Sequence, residues 1–246
     1  MAERNKLLLT GVSSGVGAFL MKELSKTYFL IGCSRSATKI SLNNKQKEHV
    51  DLYDVDLREV SQVSVFAKDI VKKYGPIPYL VNNAGVLVKR EMDKLTVEDI
   101  GQSCAVNAIS PFLLSQALLK NMAKNNFGRI VNLTSGAPFN CFKEFGAYSS
   151  SKAMLNALTI TFANELKDKN IKINLMSPGP VKTKMAPNAT MHVRECMPTL
   201  NHLLELDENG PSGRFFWLGK ELPCLPNLEG VNWLKGTASE GHKRIF

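Results

Sequence analysis

Tyr148-Ser149-Ser150-Ser151-Lys152 sets a phenol and an ammonium four residues apart. In a helix that spacing puts both on one face, about one turn apart. An ammonium beside a phenol favours the phenolate and draws a tyrosine pKa down from its ordinary value of about 10. A phenol tuned in this way passes a proton to or from an oxygen near neutral pH. Ser135, upstream, offers a hydroxyl that could hold the same oxygen in place. A Tyr-x-x-x-Lys pair also recurs on ordinary solvated helix faces, so its meaning rests on what positions it.

The positioning elements begin at the N-terminus. Residues 7–10 are a short apolar run ending in Thr10, Gly11-Val12-Ser13-Ser14-Gly15-Val16-Gly17 follows, and residues 18–24 have helical spacing. The order is strand, glycine turn, helix. Glycines allow tight backbone geometry and the close approach of a phosphate, and a helix N-terminus offers unpaired N–H groups and a positive dipole end. The spacing is Gly-x-x-x-Gly-x-Gly, not the Gly-x-Gly-x-x-Gly of the usual dinucleotide fingerprint. Alone, the run reads either as a phosphate-binding turn or as a glycine-rich turn that binds nothing.

Strand and helix then alternate along the chain. Strands are expected over 7–10, 28–34, 49–55, 77–82, 129–134, 171–176 and 214–218. Helices are expected over 15–26, 59–73 and 146–166, with a long helical region over 96–124 interrupted near 107–111. Such alternation with short connections predicts an α/β fold, a doubly wound sheet of about seven mainly parallel strands with helices on both faces. Ligands of such sheets lie at the carboxyl ends of the strands. Thr10, Ser34, Asn82, Ser135 and Ser177 all fall near such ends. One domain is expected over 1–246. Residues 185–206 read as one or two short helices, and 219–246 as an irregular tail whose last eight or so residues are disordered.

Thr10-Gly11-Val12-Ser13-Ser14-Gly15-Val16-Gly17, Asn82-Asn83-Ala84-Gly85, Asn107, Ser135, Tyr148 with Lys152, and Pro178-Gly179-Pro180-Val181-Lys182-Thr183 occur in one order. Together they resemble the short-chain dehydrogenase/reductase family, over about residues 6–218. The resemblance implies a Rossmann-type fold and hydride transfer between a nicotinamide and a carbonyl or secondary alcohol. Tyr148 would move the proton, Ser135 would hydrogen-bond the reacting oxygen, and Lys152 would lower the tyrosine pKa and hold the nicotinamide ribose. Asn107 would hold a helix kink and a water leading to Lys152. Gly11, Gly15 and Gly17 would shape the pyrophosphate turn, with Ser13, Ser14 and Val16 beside it. Asp56 would bind the adenine amino group, with Leu57 next to it. Asp56 reads equally as the cap of the helix expected from about Glu59. Asn83, Ala84 and Gly85 would line the adenosine ribose, and Pro178, Gly179, Val181 and Thr183 the nicotinamide end.

Charge favours NADP(H) over NAD(H). An acidic residue at the end of the second strand binds ribose hydroxyls and repels the extra phosphate of NADP. This chain has Cys33-Ser34-Arg35-Ser36 there, with no acid. Arg35 can pair with a phosphate, and Ser34 or Ser36 can donate hydrogen bonds to it. NAD(H) stays open, because Ser14 stands where many NADP-preferring relatives carry Arg or Lys.

Composition sets the remaining bounds. The chain has 246 residues, 44% hydrophobic and 22% charged, ordinary for a soluble globular protein. No apolar run approaches the roughly 20 residues that span a bilayer, and no signal-peptide core follows the first residues. The five cysteines are scattered without a C-x-x-C pair, which points to reduced thiols and a cytoplasmic location. The four histidines lack metal-site spacing, so no metal is expected. The formal charge of +9 comes without long basic runs, so neither nucleic acid nor membrane is an expected partner.

The resemblance further implies a substrate lid over 185–206 and a homodimer or homotetramer through the helix that carries Tyr148. Ala137–Asn140 and the residues up to Phe145 would border the substrate, and Phe139, Phe142 and Phe145 there suggest an apolar or ring-stacking wall. They could equally pack the loop against its own domain. A 3-oxoacyl thioester, a keto-sugar or another ketone would all fit. A nicotinamide-dependent epimerase or dehydratase and a non-enzymatic NADPH sensor are the competing readings. Retention of Ser135, Tyr148 and Lys152 weighs against the sensor.

Overall fold

The apolar runs become strands because helices cover both faces of a mainly parallel sheet, and a strand buried on both sides has no polar face to show. The computed structural model describes residues 4–224. Its strands are β1 (Lys6–Thr10), β2 (Phe29–Ser34), β3 (Val50–Asp54), β4 (Tyr79–Asn82), β5 (Gly128–Leu133), β6 (Ile171–Met176), β7 (Phe215–Trp217) and β8 (Lys220–Leu222). They form one sheet in the order β3-β2-β1-β4-β5-β6-β7-β8, parallel except that β8 runs antiparallel to β7. The helices are α1 (Gly15–Leu24), α2 (Asn44–Lys47), α3 (Val60–Tyr74), α4 (Val97–Cys104), α5 (Ser110–Lys124), α6 (Ala137–Asn140), α7 (Gly146–Glu165) and α8 (Met197–Leu204).

Leu7, Leu8 and Leu9 are fully buried and alternate between the faces. Leu7 and Leu9 pack with Leu20 and Leu24 of α1 and Leu200 and Leu204 of α8. Leu8 packs with Phe66 and Ile70 of α3 and Leu114 and Leu118 of α5. Full burial of one such side chain is worth about 1.5–3 kcal/mol.

The sheet has eight strands where about seven were expected. The eighth lies in the segment read as irregular tail. Leu218 (φ 48°) and Gly219 (φ 72°) both adopt left-handed backbone. Two such residues make the tight turn that pairs Trp217 with Lys220. The remainder of the expected tail, including its disordered end, lies outside the described residues.

The interruption expected near 107–111 is a π-helical turn, Ala105–Ile109, between α4 and α5. Pro111 follows directly on that π-helical turn, in the first turn of α5, and the helical run continues through it. Within 185–206, α8 is anchored: Thr199, Leu200, Leu203 and Leu204 are buried. No helix among the described residues is long and apolar enough to cross a membrane.

The chain leaves β1 toward β2 and β3 on one side and returns through β4 on the other. This reversal opens a crevice above the carboxyl ends of β1 and β4. Asn83 and Ala84 tie the two ends together: both N–H groups donate to Thr10 Oγ1 at 3.0 Å, and Asn83 Nδ2 donates to the Thr10 carbonyl at 2.8 Å.

Candidate active site

One cleft runs along the carboxyl ends of the strands, and most of the residues singled out above meet in it. The glycine turn is its floor. Gly11 (φ 76°) and Gly15 (φ 54°) take left-handed backbone. Gly17 is required for a different reason: a Cβ there would stand 2.0 Å from the Gly11 carbonyl oxygen and 2.5 Å from Asn83 Nδ2. Ser14 caps α1 in extended backbone without a side-chain hydrogen bond, so the first N–H groups of α1 are left to the cleft. Ser13, Ser14 and Val16 line this end, and Thr183 closes over Gly15.

At the end of β2, Ser34 and Arg35 line the cleft. Ser34 Oγ is buried without a hydrogen-bond partner, and Arg35 is exposed. Ser36 does not line the wall; it begins the 3₁₀ turn Ala37–Lys39.

Beyond β3, Asp56 and Leu57 line the cleft together with Arg58. The Asp56 carboxylate accepts from the Arg58 backbone N–H and Nε, each at 3.0 Å, and from Nη2 at 2.5 Å. Those hydrogen bonds hold its carboxyl below the ordinary range, more than burial raises it. The expected capping role is not what Asp56 does. Glu59 occupies the N-cap of α3, and Asp56 contributes only its carbonyl oxygen, to the Glu59 N–H.

At the other end stand Tyr148 and Lys152 of α7, one turn apart as the spacing required. Lys152 is 4% exposed, and its Nζ donates to the Leu133 carbonyl at 2.6 Å. Burial pulls its pKa down to about 7. Nζ lies 6.0 Å from the centre of the Tyr148 ring. Tyr148 is pushed above the ordinary phenol value by burial, and a hydrogen bond with the Ser135 hydroxyl opposes that rise. The expected lysine-lowered phenol is therefore corrected: desolvation dominates both groups, and Lys152 is turned onto a backbone carbonyl.

Ser135 is half-buried and is not itself among the residues lining the cleft; its Oγ also accepts from the Ala137 N–H at 3.1 Å. Asn107 is fully buried and does not line the cleft. Its Oδ1 accepts from the Val86 N–H, and its Nδ2 donates to the Val86 carbonyl and to Ser151 Oγ, each at 2.9 Å. Asn107 and Lys152 flank Gly85: a Cβ on Gly85 would stand 3.3 Å from Asn107 Oδ1 and 3.8 Å from Lys152 Nζ.

Asn83, Ala84, Gly85, Pro178 and Thr183 line the cleft, whereas Gly179 and Val181 do not. Gly179 (φ 81°) packs against Trp217 Nε1 and Met191, and Val181 is buried and bridges to Met191. Val55, Val86, Val106, Leu133, Thr134, Lys184 and Met185 also line it and were not anticipated. Most adjoin an expected strand end or motif by one or two positions, and that adjacency was the available signal.

The three phenylalanines divide. Phe139 stacks on Phe215 at 5.6 Å, packing the loop against its own sheet. Phe145 meets Tyr148 edge-on at 6.0 Å and Phe142 at 5.7 Å; neither lines the cleft, and Phe142 lines a separate hollow with Met92 and Pro138.

Comparison with known proteins agrees with this geometry. The short chain dehydrogenase family model matches residues 5–193. L-xylulose reductase of Caenorhabditis elegans is 30% identical over 214 residues, covering 82% of this chain and 84% of that protein. Benzil reductase ((S)-benzoin forming) of Bacillus subtilis is 28% identical over 208 residues, 82% and 85% of the two chains. Among solved structures, ElxO with NADP bound superposes with a TM-score of 0.78 at 26% identity, covering 86% of this chain and 96% of that one. The NADPH-bound carbonyl reductase from chicken fatty liver shares the fold, with a TM-score of 0.76 at 24% identity over 89% and 99% of the two chains. The chain belongs to the short-chain dehydrogenase family. It is a nicotinamide-dependent oxidoreductase acting on CH–OH and C=O groups.

Proposed function

We propose that this chain is an NADP(H)-dependent oxidoreductase that interconverts a carbonyl and a secondary alcohol, with Tyr148 as the proton-transferring group. The observation that carries the reading is the meeting of Tyr148 and Lys152 at one end of a cleft whose floor is the glycine turn, with the Ser135 hydroxyl hydrogen-bonded to Tyr148.

The cleft residues fit a phosphorylated dinucleotide. The open N–H groups at the start of α1 and the bare backbone at Gly11, Gly15 and Gly17 suit a pyrophosphate. Ser34 Oγ, buried without a partner beside Arg35, suits the 2′-phosphate of NADP. Ser13, Ser14 and Val16 would flank the pyrophosphate, Asp56 and Leu57 the adenine, and Asn83, Ala84 and Gly85 the ribose. Pro178 and Thr183 would hold the nicotinamide end, while Gly179 and Val181 shape that loop from behind and Ser36 shapes the turn after Arg35.

When bound, the dinucleotide supplies or accepts the hydride. Tyr148 donates its proton to the carbonyl oxygen during reduction and recovers it during oxidation. Its burial keeps the phenol protonated at neutral pH, the form that reduction needs. Ser135 donates a hydrogen bond to the charge that develops on that oxygen. Lys152, anchored on Leu133, holds a ribose hydroxyl and presents a proton that it can release near neutral pH. Asn107 fixes the Val86 strap behind Gly85. Phe145, edge-on to Tyr148, would set an aromatic ring beside the reacting oxygen, which favours an apolar ketone or diketone over a polyhydroxylated keto-sugar.

Self-association through α4 and α7 belongs to the same reading. Val97 and Met92, 87% and 73% exposed, give that side an apolar surface, and sedimentation should find no monomer peak. The functional test is a fluorescence titration of NADPH and NADH against wild type and Arg35→Ala. Tighter NADPH binding that Arg35→Ala selectively weakens is expected. Binding of neither cofactor overturns the proposal.

A further inference from the structure

We propose that Arg58 sets cofactor specificity by cancelling the charge of Asp56, so that the adenosine end of the cleft accepts a phosphate-bearing ribose. The inference rests on the NADP(H) reading above and adds a residue that no sequence pattern assigned.

The problem it solves is electrostatic. The strands β2 and β3 are neighbours, so the segments that leave their carboxyl ends lie side by side. Arg35 follows β2, Asp56 follows β3, and both line the same stretch of cleft. They lie close enough for the Arg35 cation to act on the Asp56 carboxyl, though the Arg58 hydrogen bonds act on it more strongly. A carboxylate that feels Arg35 also repels a phosphate seated on Arg35. The absence of an acid at the end of β2 is therefore not sufficient for NADP(H), because β3 brings one to the same place.

Arg58 answers that charge with defined geometry. Its Nε reaches Asp56 Oδ1 at 3.0 Å and Oδ2 at 3.1 Å, its Nη2 reaches Oδ2 at 2.5 Å, and its backbone N–H holds Oδ1 at 3.0 Å. Both carboxylate oxygens are engaged by the planar fork, a pairing a lysine does not reproduce. The Arg58 side chain is 42% exposed, and ion pairs so exposed add little to stability. Its effect is instead on the field at the cleft, where a phosphate carries close to two charges. Removing Arg58 leaves Asp56 to act on that phosphate, while NADH, which has only hydroxyls there, is hardly affected. Asp56 also faces the adenine in this reading, but the adenine is common to both cofactors, so it cancels in the ratio of their affinities.

Unit charges a few ångströms apart in water interact strongly enough to change an equilibrium several-fold. The expected effect of Arg58→Gln is a loss of NADPH affinity about three- to tenfold greater than any loss of NADH affinity. The experiment titrates NADPH and NADH against wild type, Arg58→Gln, Asp56→Asn and the double variant. The double variant should recover most of the NADPH-to-NADH ratio, because it has no charge left to cancel. Asp56→Asn alone should move the ratio toward NADPH, an arm that stands even where Arg58→Gln fails to fold. An unchanged ratio in Arg58→Gln, no recovery in the double variant, or a shift toward NADH in Asp56→Asn overturns the role of Arg58. Wild type that binds neither cofactor overturns the oxidoreductase reading instead, so the two failures are distinct.

Discussion

Lys152 Nζ donates to the carbonyl oxygen of Leu133 at 2.6 Å, which fixes the ammonium of α7 to the carboxyl end of β5. The bond positions the lysine between the sheet and the cleft, but it does not offset the loss of water. Burial brings the Lys152 pKa down to about 7 from 10.5. The lysine thus gives up its proton far more readily than a solvated one.

Stability should consequently rise with pH in the cofactor-free protein. Below about pH 7, Lys152 is protonated in both folded and unfolded chains. From about pH 7 to 10.5 the unfolded chain holds that proton and the folded chain does not, so alkalinisation favours folding, by up to roughly 1.4 kcal/mol per pH unit. Buried Cys33 and Cys196, pushed up to about 12 and about 11, act in the opposite sense above their ordinary 9.0. The usable window is therefore about pH 7–9. Thermal melts of wild type and Lys152→Met across that window should diverge, with only wild type gaining. Parallel curves would mean that Lys152 keeps its proton in the fold.

Tyr148→Phe separates chemistry from binding. The substitution removes one hydroxyl and keeps the ring in its edge-on contact with Phe145. Turnover should fall about 10²–10⁴-fold, the range for losing a positioned proton donor. NADPH affinity should change by less than about twofold, since general acid–base work is confined to the reacting oxygen. Steady-state rates and a cofactor titration on one preparation check both halves. A variant retaining a tenth of wild-type turnover would remove Tyr148 from the proton step.

Gly17→Ala should cost both stability and cofactor affinity. The added Cβ meets the backbone of Gly11 at 2.0 Å, and backbone cannot swing aside as a side-chain tip can. The expected cost is about 1–3 kcal/mol of unfolding free energy, typical of overpacking. NADPH affinity should drop at least about tenfold, since α1 and the glycine turn must separate. Urea unfolding and titration measure the two. Normal affinity in a folded variant would show that the α1 start is not the phosphate floor.

Most of the sheet was legible because a parallel strand buried on both faces is a continuous apolar run, as in Leu7-Leu8-Leu9. The glycine turn, Tyr148 and Lys152 were legible because the chemistry depends on local spacing. What depends on distant partners was not. Arg129 sits inside such a run, yet it is 1% exposed, and its guanidinium donates to the carbonyls of Leu206, Gly128 and Asn170. Backbone acceptors leave no pattern in a sequence. The desolvation of Lys152 is likewise a property of the assembled core, so spacing gave its neighbour and not its pKa. Arg58 was passed over because a pair two residues apart outside a helix has no periodic signature. The turn before β8 was missed because Leu218 is an unusual residue for left-handed backbone.

Asn107 offers the last prediction, since its buried side chain spends every hydrogen bond on holding others. Asn107→Ala leaves the Val86 N–H and carbonyl without their partner and frees Ser151 Oγ, which also donates to the Tyr148 carbonyl at 2.8 Å. A fully buried group so orphaned costs about 1–3 kcal/mol, and because Val86 is only half-buried a total of about 2–4 kcal/mol is expected. Denaturant unfolding should show that loss at constant m-value. Turnover should fall as well, because Asn107 and Lys152 flank Gly85 and a loosened strap lets the lysine shift. Asn107→Asp is the sharper probe: it keeps an acceptor for the Val86 N–H but sets a carboxylate near Lys152, which favours the ammonium and should raise its pKa. The alkaline gain in stability described for Lys152 should then begin at a higher pH than in wild type. If it begins at the same pH, Asn107 does not reach the lysine electrostatically and acts only through the Val86 strap.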